Sequence, residues 1–181
     1  HGVNDGHPRT GKLMPVQVHM GAAAPCGLER YDFALWGEAY QDNLFACQFN
    51  KRKVSRHILQ ADGAAFRTID HDFIISDDVD FHPTDVFADA DGSLLVVDTG
   101  GWYKICCPTS QLEKADVLGG IYRVRKNGSP TLADPRGKQL AWNKATPEQL
   151  WDWLEDQRSA VREHATRELV SRRDTASLHK F

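Results

Sequence analysis

The sequence predicts a mainly β chain that ends in a helical hairpin, and three observations carry that prediction. Short apolar runs separated by turn residues fill the stretch from Leu13 to Lys126. The order of those runs recurs at a spacing of about 50 to 60 residues, a period typical of large propeller blades. After Thr146 the apolar spacing changes to the three-and-four step of a helix.

The expected strands cover residues 16–20, 27–31, 43–49, 54–60, 65–69, 84–88, 94–97 and 120–125. Ala61-Asp62-Gly63 and Asp91-Gly92 join neighbouring runs. Asp-Gly supplies the positive φ that tight hairpins demand, so sequence neighbours pair as antiparallel meanders. The triplet 27–31, 43–49, 54–60 is repeated by 84–88, 94–97, 120–125. A propeller needs ~4 to 8 blades of four strands, so the chain supplies a partial β-propeller of about two blades. The blades occupy residues 1–126. Asn127-Gly128-Ser129-Pro130 opens a linker over 127–145, and the helical region takes 146–181. Thr146-Pro147-Glu148-Gln149 combines an N-cap, proline at the first helical position and an acidic first turn. Leu150, Trp153 and Leu154 follow at helical spacing, then Val161, Ala165 and Leu169 after a break near 156–159. The short break turns the second helix back antiparallel to the first, and the exposed apolar face must meet another helix pair or the β domain.

Composition narrows the function classes. The chain has 181 residues, 41% hydrophobic and 26% charged, with net charge −3. That balance supports a packed core, and no run reaches the ~18 to 20 apolar residues of a membrane helix. A phosphate-binding surface needs a basic excess, so nucleic acid is not an expected partner. Residue 1 is His and the first methionine is Met14, with no signal peptide visible, so the sequence reads as a fragment. Between Asp62 and Asp98 stand ten Asp residues against one Arg, with Lys51, Arg52, Lys53 and Arg56 before them and Arg123, Arg125 and Lys126 after. Short carboxylates bond their own backbone at turns, which accounts for most of the ten. Asp89-Ala90-Asp91-Gly92-Ser93 shares part of a calcium loop but lacks its third ligand and its closing glutamate. His19, His57, His71 and His82 stand at no recognised ligand spacing, so no metal site is expected.

The stretch Asp80-Phe81-His82-Pro83-Thr84-Asp85-Val86, followed by Asp91-Gly92-Ser93-Leu94-Leu95-Val96-Val97-Asp98 and Gly120-Ile121-Tyr122-Arg123-Val124, resembles the closing blades of the glucose/sorbosone dehydrogenase family. Thr99-Gly100-Gly101-Trp102-Tyr103-Lys104 and Cys106-Cys107-Pro108 are similar to a planctomycete-type branch of large secreted proteins, in which HEAT-like repeats follow the propeller. Leu154-Glu155-Asp156, Val161-Arg162, Ala165 and Leu169 resemble the HEAT pattern. The resemblance implies a six-bladed propeller, a periplasmic or extracellular location, and oxidation of a sugar or alcohol by a histidine base on an earlier blade. Several relatives use pyrroloquinoline quinone, and a downstream cytochrome c module would bring haem. This fragment alone is then expected to be inactive. Where the family grips the quinone's carboxylates with an arginine pair, this sequence has His82 and Thr84, which offer hydrogen bonds in place of charged forks. Exported relatives also make disulfides among Cys26, Cys47, Cys106 and Cys107 an expectation, with three full pairings open and a vicinal Cys106–Cys107 bond among the alternatives.

The candidate cofactor- or ligand-binding residues are His82, Thr84, Trp102 and Lys104. His82 precedes Pro83 at a strand entrance, where it faces a pocket or bonds locally, and His19 has the same two readings. Gly100 and Gly101 permit close backbone approach, Trp102 either stacks on a flat ring or fills the space between blades, and Lys104 can meet an anion. Two function classes follow. One is a carbohydrate oxidoreductase; the other is a non-catalytic propeller with a helical scaffold that binds glycans or proteins, the latter through the helical repeats.

Overall fold

A computed structural model describes residues 16–101 and 114–172, which form two antiparallel sheets and a short helical part. The first sheet holds β1 (Pro25–Tyr31), β2 (Asn43–Gln48), β3 (Lys53–Asp62) and β4 (Ala65–Ile75) in that order. The second holds β5 (Pro83–Ala88), β6 (Leu94–Asp98) and β7 (Gly120–Val124). Every pairing is between sequence neighbours and antiparallel, as the turn chemistry predicts.

The β3–β4 hairpin shows how local sequence sets register. Asp62 pairs with Ala65, and Gly63 at φ 62° takes the first central position of a two-residue loop. Positive φ at that position alone is the II′ geometry, which glycine adopts without steric cost. The register then runs on past the expected end at 69. His71 pairs with Arg56 and Asp72 with Ser55, so strand polarity does not stop the ladder. The expected strand at 16–20 does not form. That segment is irregular and bends at Gly21 (φ 69°), and its carbonyls go to side chains: Lys51 Nζ donates to Met20 O and Asn50 Nδ2 to Ala22 O.

Alternation along β2 sorts the two faces of the first sheet. Asn43, Phe45 and Cys47 are buried on one face, while Leu44 and Ala46 on the other are half-buried. The buried face joins Tyr31, Phe33, Trp36 and Val54 to Val86, Leu94 and Val96 of the second sheet in one core. Tyr31 stacks on Trp36 at 4.7 Å, and Phe45 meets Phe73 edge-on at the same distance. Each such ring contributes about 1.5–3 kcal/mol by leaving water. The Tyr31 hydroxyl donates to the Gly92 carbonyl at 2.7 Å, which ties β1 to the β5–β6 turn. At the seam β1 lies against β5 so closely that a Cβ on Gly27 would stand 2.5 Å from Asp85 Cα.

Residues 127–145 pack against the sheets rather than spanning open solvent. Leu132 covers the core, Lys126 Nζ donates to the Trp36 carbonyl at 2.6 Å, and Arg136 pairs with Asp89. The helical part is α1 (Pro147–Asp152) and α2 (Ser159–Arg172). Thr146 and Gln149 form a reciprocal capping box at the start of α1. Leu150, Val161 and Ala165 are buried, and Arg162 reaches Asp32 at 2.6 Å to fix α2 to the end of β1. Among the described residues no helix is long and apolar enough to cross a membrane.

Candidate functional site

His82 is buried at the entrance of β5. Its Nδ1 lies 2.8 Å from the Gly100 carbonyl and 2.9 Å from that of Asp80, so this nitrogen carries the proton. Its backbone N–H donates to Asp98 Oδ1 at 2.8 Å, and Gly100 N–H donates to the same oxygen at 2.9 Å. The ring rests 4.6 Å from that of Phe49. Thr84 Oγ1 donates to the Val97 carbonyl at 3.3 Å. Both side chains therefore lock the start of β5 to the end of β6 and to the loop beyond it. Trp102, Lys104, Cys106 and Cys107 lie outside the described residues. Cys26 and Cys47 are free thiols, the first exposed and the second buried. Burial, reinforced by the nearby Asp85 and Cys26, pushes the Cys47 thiol up to about 12. It is protonated at neutral pH and a poor nucleophile.

The acidic stretch is organised by cations from the flanking segments. Arg123 reaches Asp89 at 2.8 Å and Asp91 at 3.2 Å, Arg125 reaches Asp91 at 2.9 Å, and Arg136 also meets Asp89. Burial works against ionisation of Asp91. Hydrogen bonds from Ser93 and Arg125 and the charge of Arg123 outweigh it and bring Asp91 to about 2. Three arginines thus occupy the partial calcium-loop sequence.

A different group of residues gathers on the outer face of the first sheet. Alternation places Leu44, Ala46 and Gln48 of β2 on that face, and the β2–β3 register sets Leu44 opposite His57 and Ala46 opposite Ser55. The hairpin register then brings Asp70 opposite His57. A continuous hydrogen-bonded row results. Asp70 Oδ1 stands 2.7 Å from His57 Nδ1, His57 Nε2 2.8 Å from Ser55 Oγ, and Gln48 Nε2 2.8 Å from the same oxygen. Gln48 is 1% exposed, Ser55 0% and His57 4%. An ionised Asp70 accepts from His57 Nδ1; with a neutral ring, Nε2 accepts from the Ser55 hydroxyl, which otherwise donates to the Ala46 carbonyl at 3.3 Å, and the Ser55 oxygen accepts from the Gln48 amide. Burial alone would raise the Asp70 carboxyl, but hydrogen bonds from His57 and Thr68 hold it below the ordinary value. At the far end Gln48 Oε1 is buried with no hydrogen-bond partner.

Residues 17–23 and the outer face of the first sheet line a half-open cavity of about 400 Å³, with His19, Met20, Leu28, Leu44, Gln48 and His57 among its walls. The covering segment is fastened at one end. Asn50 bonds Ala24 N at 2.7 Å and Ala22 O at 2.9 Å, and Phe49 N–H donates to Ala24 O at 3.0 Å. The structure therefore brings His19 to a cavity with His57, whereas His82 and Thr84 sit at the seam end of the second sheet. Gln48, Ser55 and Asp70 escape a motif search because they follow from strand register, not from spacing. Ser-x-His at 55–57 on a strand was the visible trace, since alternation puts both side chains on one face.

A family model described as a domain of unknown function (DUF7133) matches residues 3–128, and the chain belongs to that family. No curated protein and no solved structure matches the chain.

Proposed function

We propose that this DUF7133 chain supplies two consecutive blades of a glucose/sorbosone dehydrogenase-like β-propeller, followed by the first HEAT-like helical pair, in an exported protein that acts on a carbohydrate or another hydroxyl-bearing small molecule. The supporting observation is the seam. Two antiparallel meanders, each running outward from its first strand, meet where β1 and β5 approach at Gly27 and Asp85, as adjacent blades do at a propeller's centre. The motif residues 80–86 and 91–98 form the second meander's first hairpin.

In this reading the reaction is oxidation at a carbinol carbon. The hydroxyl proton would pass to a histidine base outside this chain; a quinone, if the complete protein binds one, would supply the electron sink, and a cytochrome c haem the onward carrier. His82 Nδ1 and Thr84 Oγ1 are engaged with the carbonyls of Asp80, Gly100 and Val97, which argues against these two atoms as the grip on a quinone's carboxylates. The same bonds hold the start of β5 to the end of β6. No step is assigned to them.

The same observation favours a second reading, a propeller and helical scaffold that binds glycans or proteins without oxidising them. Dye-linked assays of the complete protein with a panel of sugars and alcohols, with and without added pyrroloquinoline quinone, separate the two. Dye reduction above background for at least one sugar supports the oxidoreductase. Background rates for every sugar under both conditions overturn it and leave the binding scaffold.

A further inference from the structure

We propose that Cys26 and Cys47 are the two halves of a disulfide that staples β1 to β2 beside the seam when the chain folds in the presence of a disulfide oxidant, their free thiols being its reduced state. The proposal concerns this chain's own cysteines and does not depend on any catalytic activity.

The strand register puts the two residues opposite each other. Pro25 pairs with Gln48 and Leu28 with Ala46, so β1 takes three steps where β2 takes two. One extra residue makes a β-bulge, in which two residues oppose one. The two are Cys26 and Gly27, and the one is Cys47. Facing residues of an antiparallel pair have Cα atoms about 4.5 to 5.5 Å apart, inside the roughly 4.4 to 6.8 Å that a disulfide spans.

Both side chains are on one face. Pro25, Leu28, Ala46 and Gln48 all line the cavity on the outer side of the sheet. Cys47 stands between Ala46 and Gln48 and is buried on the inner side. The two bulge residues stand between Pro25 and Leu28 and turn inward in the same way, Gly27 closely enough to meet Asp85 of the second sheet. The Cys26 sulfur is directed towards β2. It lies 3.7 Å from the Ala24 carbonyl oxygen, which also accepts from the Phe49 N–H just beyond β2. Cys26 is also among the groups that raise the Cys47 thiol.

Exposure sets the order of events. Cys26 is exposed and Cys47 is fully buried, so an oxidant reaches Cys26 first. With oxidised glutathione, the Cys26 thiolate attacks one sulfur, forms a mixed disulfide and releases one glutathione. Cys47 then gives up its proton and attacks Cys26 Sγ, and the second glutathione leaves. Two protein thiols are thereby oxidised while one small disulfide is reduced to two thiols. A buried, protonated Cys47 makes the second step slow in the folded chain, so the bond is made during folding, while Cys47 is still open to water. It closes a loop that carries Phe33 and Trp36 of the core. Restricting that loop in the unfolded chain should raise the melting temperature by about 6 to 12 °C.

The full chain is unfolded, reduced and refolded in a mixture of reduced and oxidised glutathione, then alkylated and mapped without reduction. Trypsin cuts after Arg30, which puts the two cysteines on separate peptides. A peptide pair joined through Cys26 and Cys47 is expected, both in the unaltered chain and in Cys106→Ser/Cys107→Ser. The oxidised double variant should melt about 6 to 12 °C above its reduced form. Adding Cys26→Ser alters an exposed side chain and should remove that difference. The proposal is overturned if Cys26 and Cys47 both remain alkylatable after refolding, or if either is joined to Cys106 or Cys107 in the unaltered chain. It is also overturned if the oxidant-dependent rise survives Cys26→Ser.

Discussion

Replacing Gly27 with Ala tests whether the two sheets are in backbone contact at their seam. The added methyl carbon would lie 2.2 Å from Asp85 Oδ1, 2.5 Å from Asp85 Cα and 2.8 Å from Val86 N. Ordinary contact between such atoms needs about 3.4–4 Å, so β1 and β5 must part by roughly 1 Å or bend. Overpacking of this kind costs typically about 1–3 kcal/mol, and a seam whose obstructing atoms are backbone belongs at the upper end. For a chain of this size ~3 kcal/mol lowers the melting temperature by about 6 to 12 °C. Thermal unfolding followed by Trp fluorescence reads it, with Gly63→Ala as the comparison. Gly63 has nothing within 4 Å but sits at φ 62°, so Ala there costs only ~1–2 kcal/mol of backbone strain. Asp85→Ala added to Gly27→Ala should restore little, because Asp85 Cα and Val86 N still obstruct. Full rescue by that second change, or a Gly27→Ala loss no greater than that of Gly63→Ala, would refute the backbone seam.

Three further outcomes are expected. Tyr31→Phe removes the buried hydroxyl that reaches the Gly92 carbonyl and should cost about 1–3 kcal/mol in urea unfolding with the m-value unchanged. Thr146→Ala deletes the oxygen that accepts from Gln149 N and should lower stability by about 1 kcal/mol, seen as a loss of far-UV helical signal at lower temperature. Asp91 gives an acid-sensitive contribution. Its folded value of about 2 lies below the ordinary 3.8, so its stabilisation is present above pH ~5 and is lost as pH falls through ~4 to ~2. The full shift corresponds to about 2.5 kcal/mol, which partial solvent exposure reduces to about 1. Urea midpoints at pH 7 and pH 3 should differ less in Asp91→Asn than in the unaltered chain.

Much of the β architecture is legible because turn chemistry and alternation are local. Asp62-Gly63 fixes a two-residue loop, and counting five residues back from Asp62 and five on from Ala65 sets His57 against Asp70, the pair the structure contains. The reach of β4 to Ile75 is harder to read, since Asp70-His71-Asp72 looks like the end of a strand until its partners across the sheet are known. Residues 16–20 mislead for the opposite reason. Val16, Val18 and Met20 alternate as a strand should, yet the segment joins neither sheet, and Asn50 and Lys51 hold the backbone at Met20, Ala22 and Ala24. His82 illustrates a similar limit at the site level. Sequence marks it as special, but whether its ring faces a ligand or a carbonyl depends on where Gly100 returns, eighteen residues on.

The two histidines argue for a division of labour between the sheets. Both are buried, and both have a ring Nδ1 in a hydrogen bond. His82 Nδ1 lies on backbone carbonyls, which no substitution elsewhere can remove, and so fastens the start of β5. His57 stands between two side chains in a row that ends on an unpaired acceptor. Replacing Asp70 with Asn tests what that row contributes, because it removes the charge that His57 Nδ1 faces and keeps the side chain's size. The change should cost about 1 kcal/mol and lower the melting temperature by about 2 to 4 °C. An unchanged melting temperature would show that the His57–Asp70 bond lends the sheet no stability.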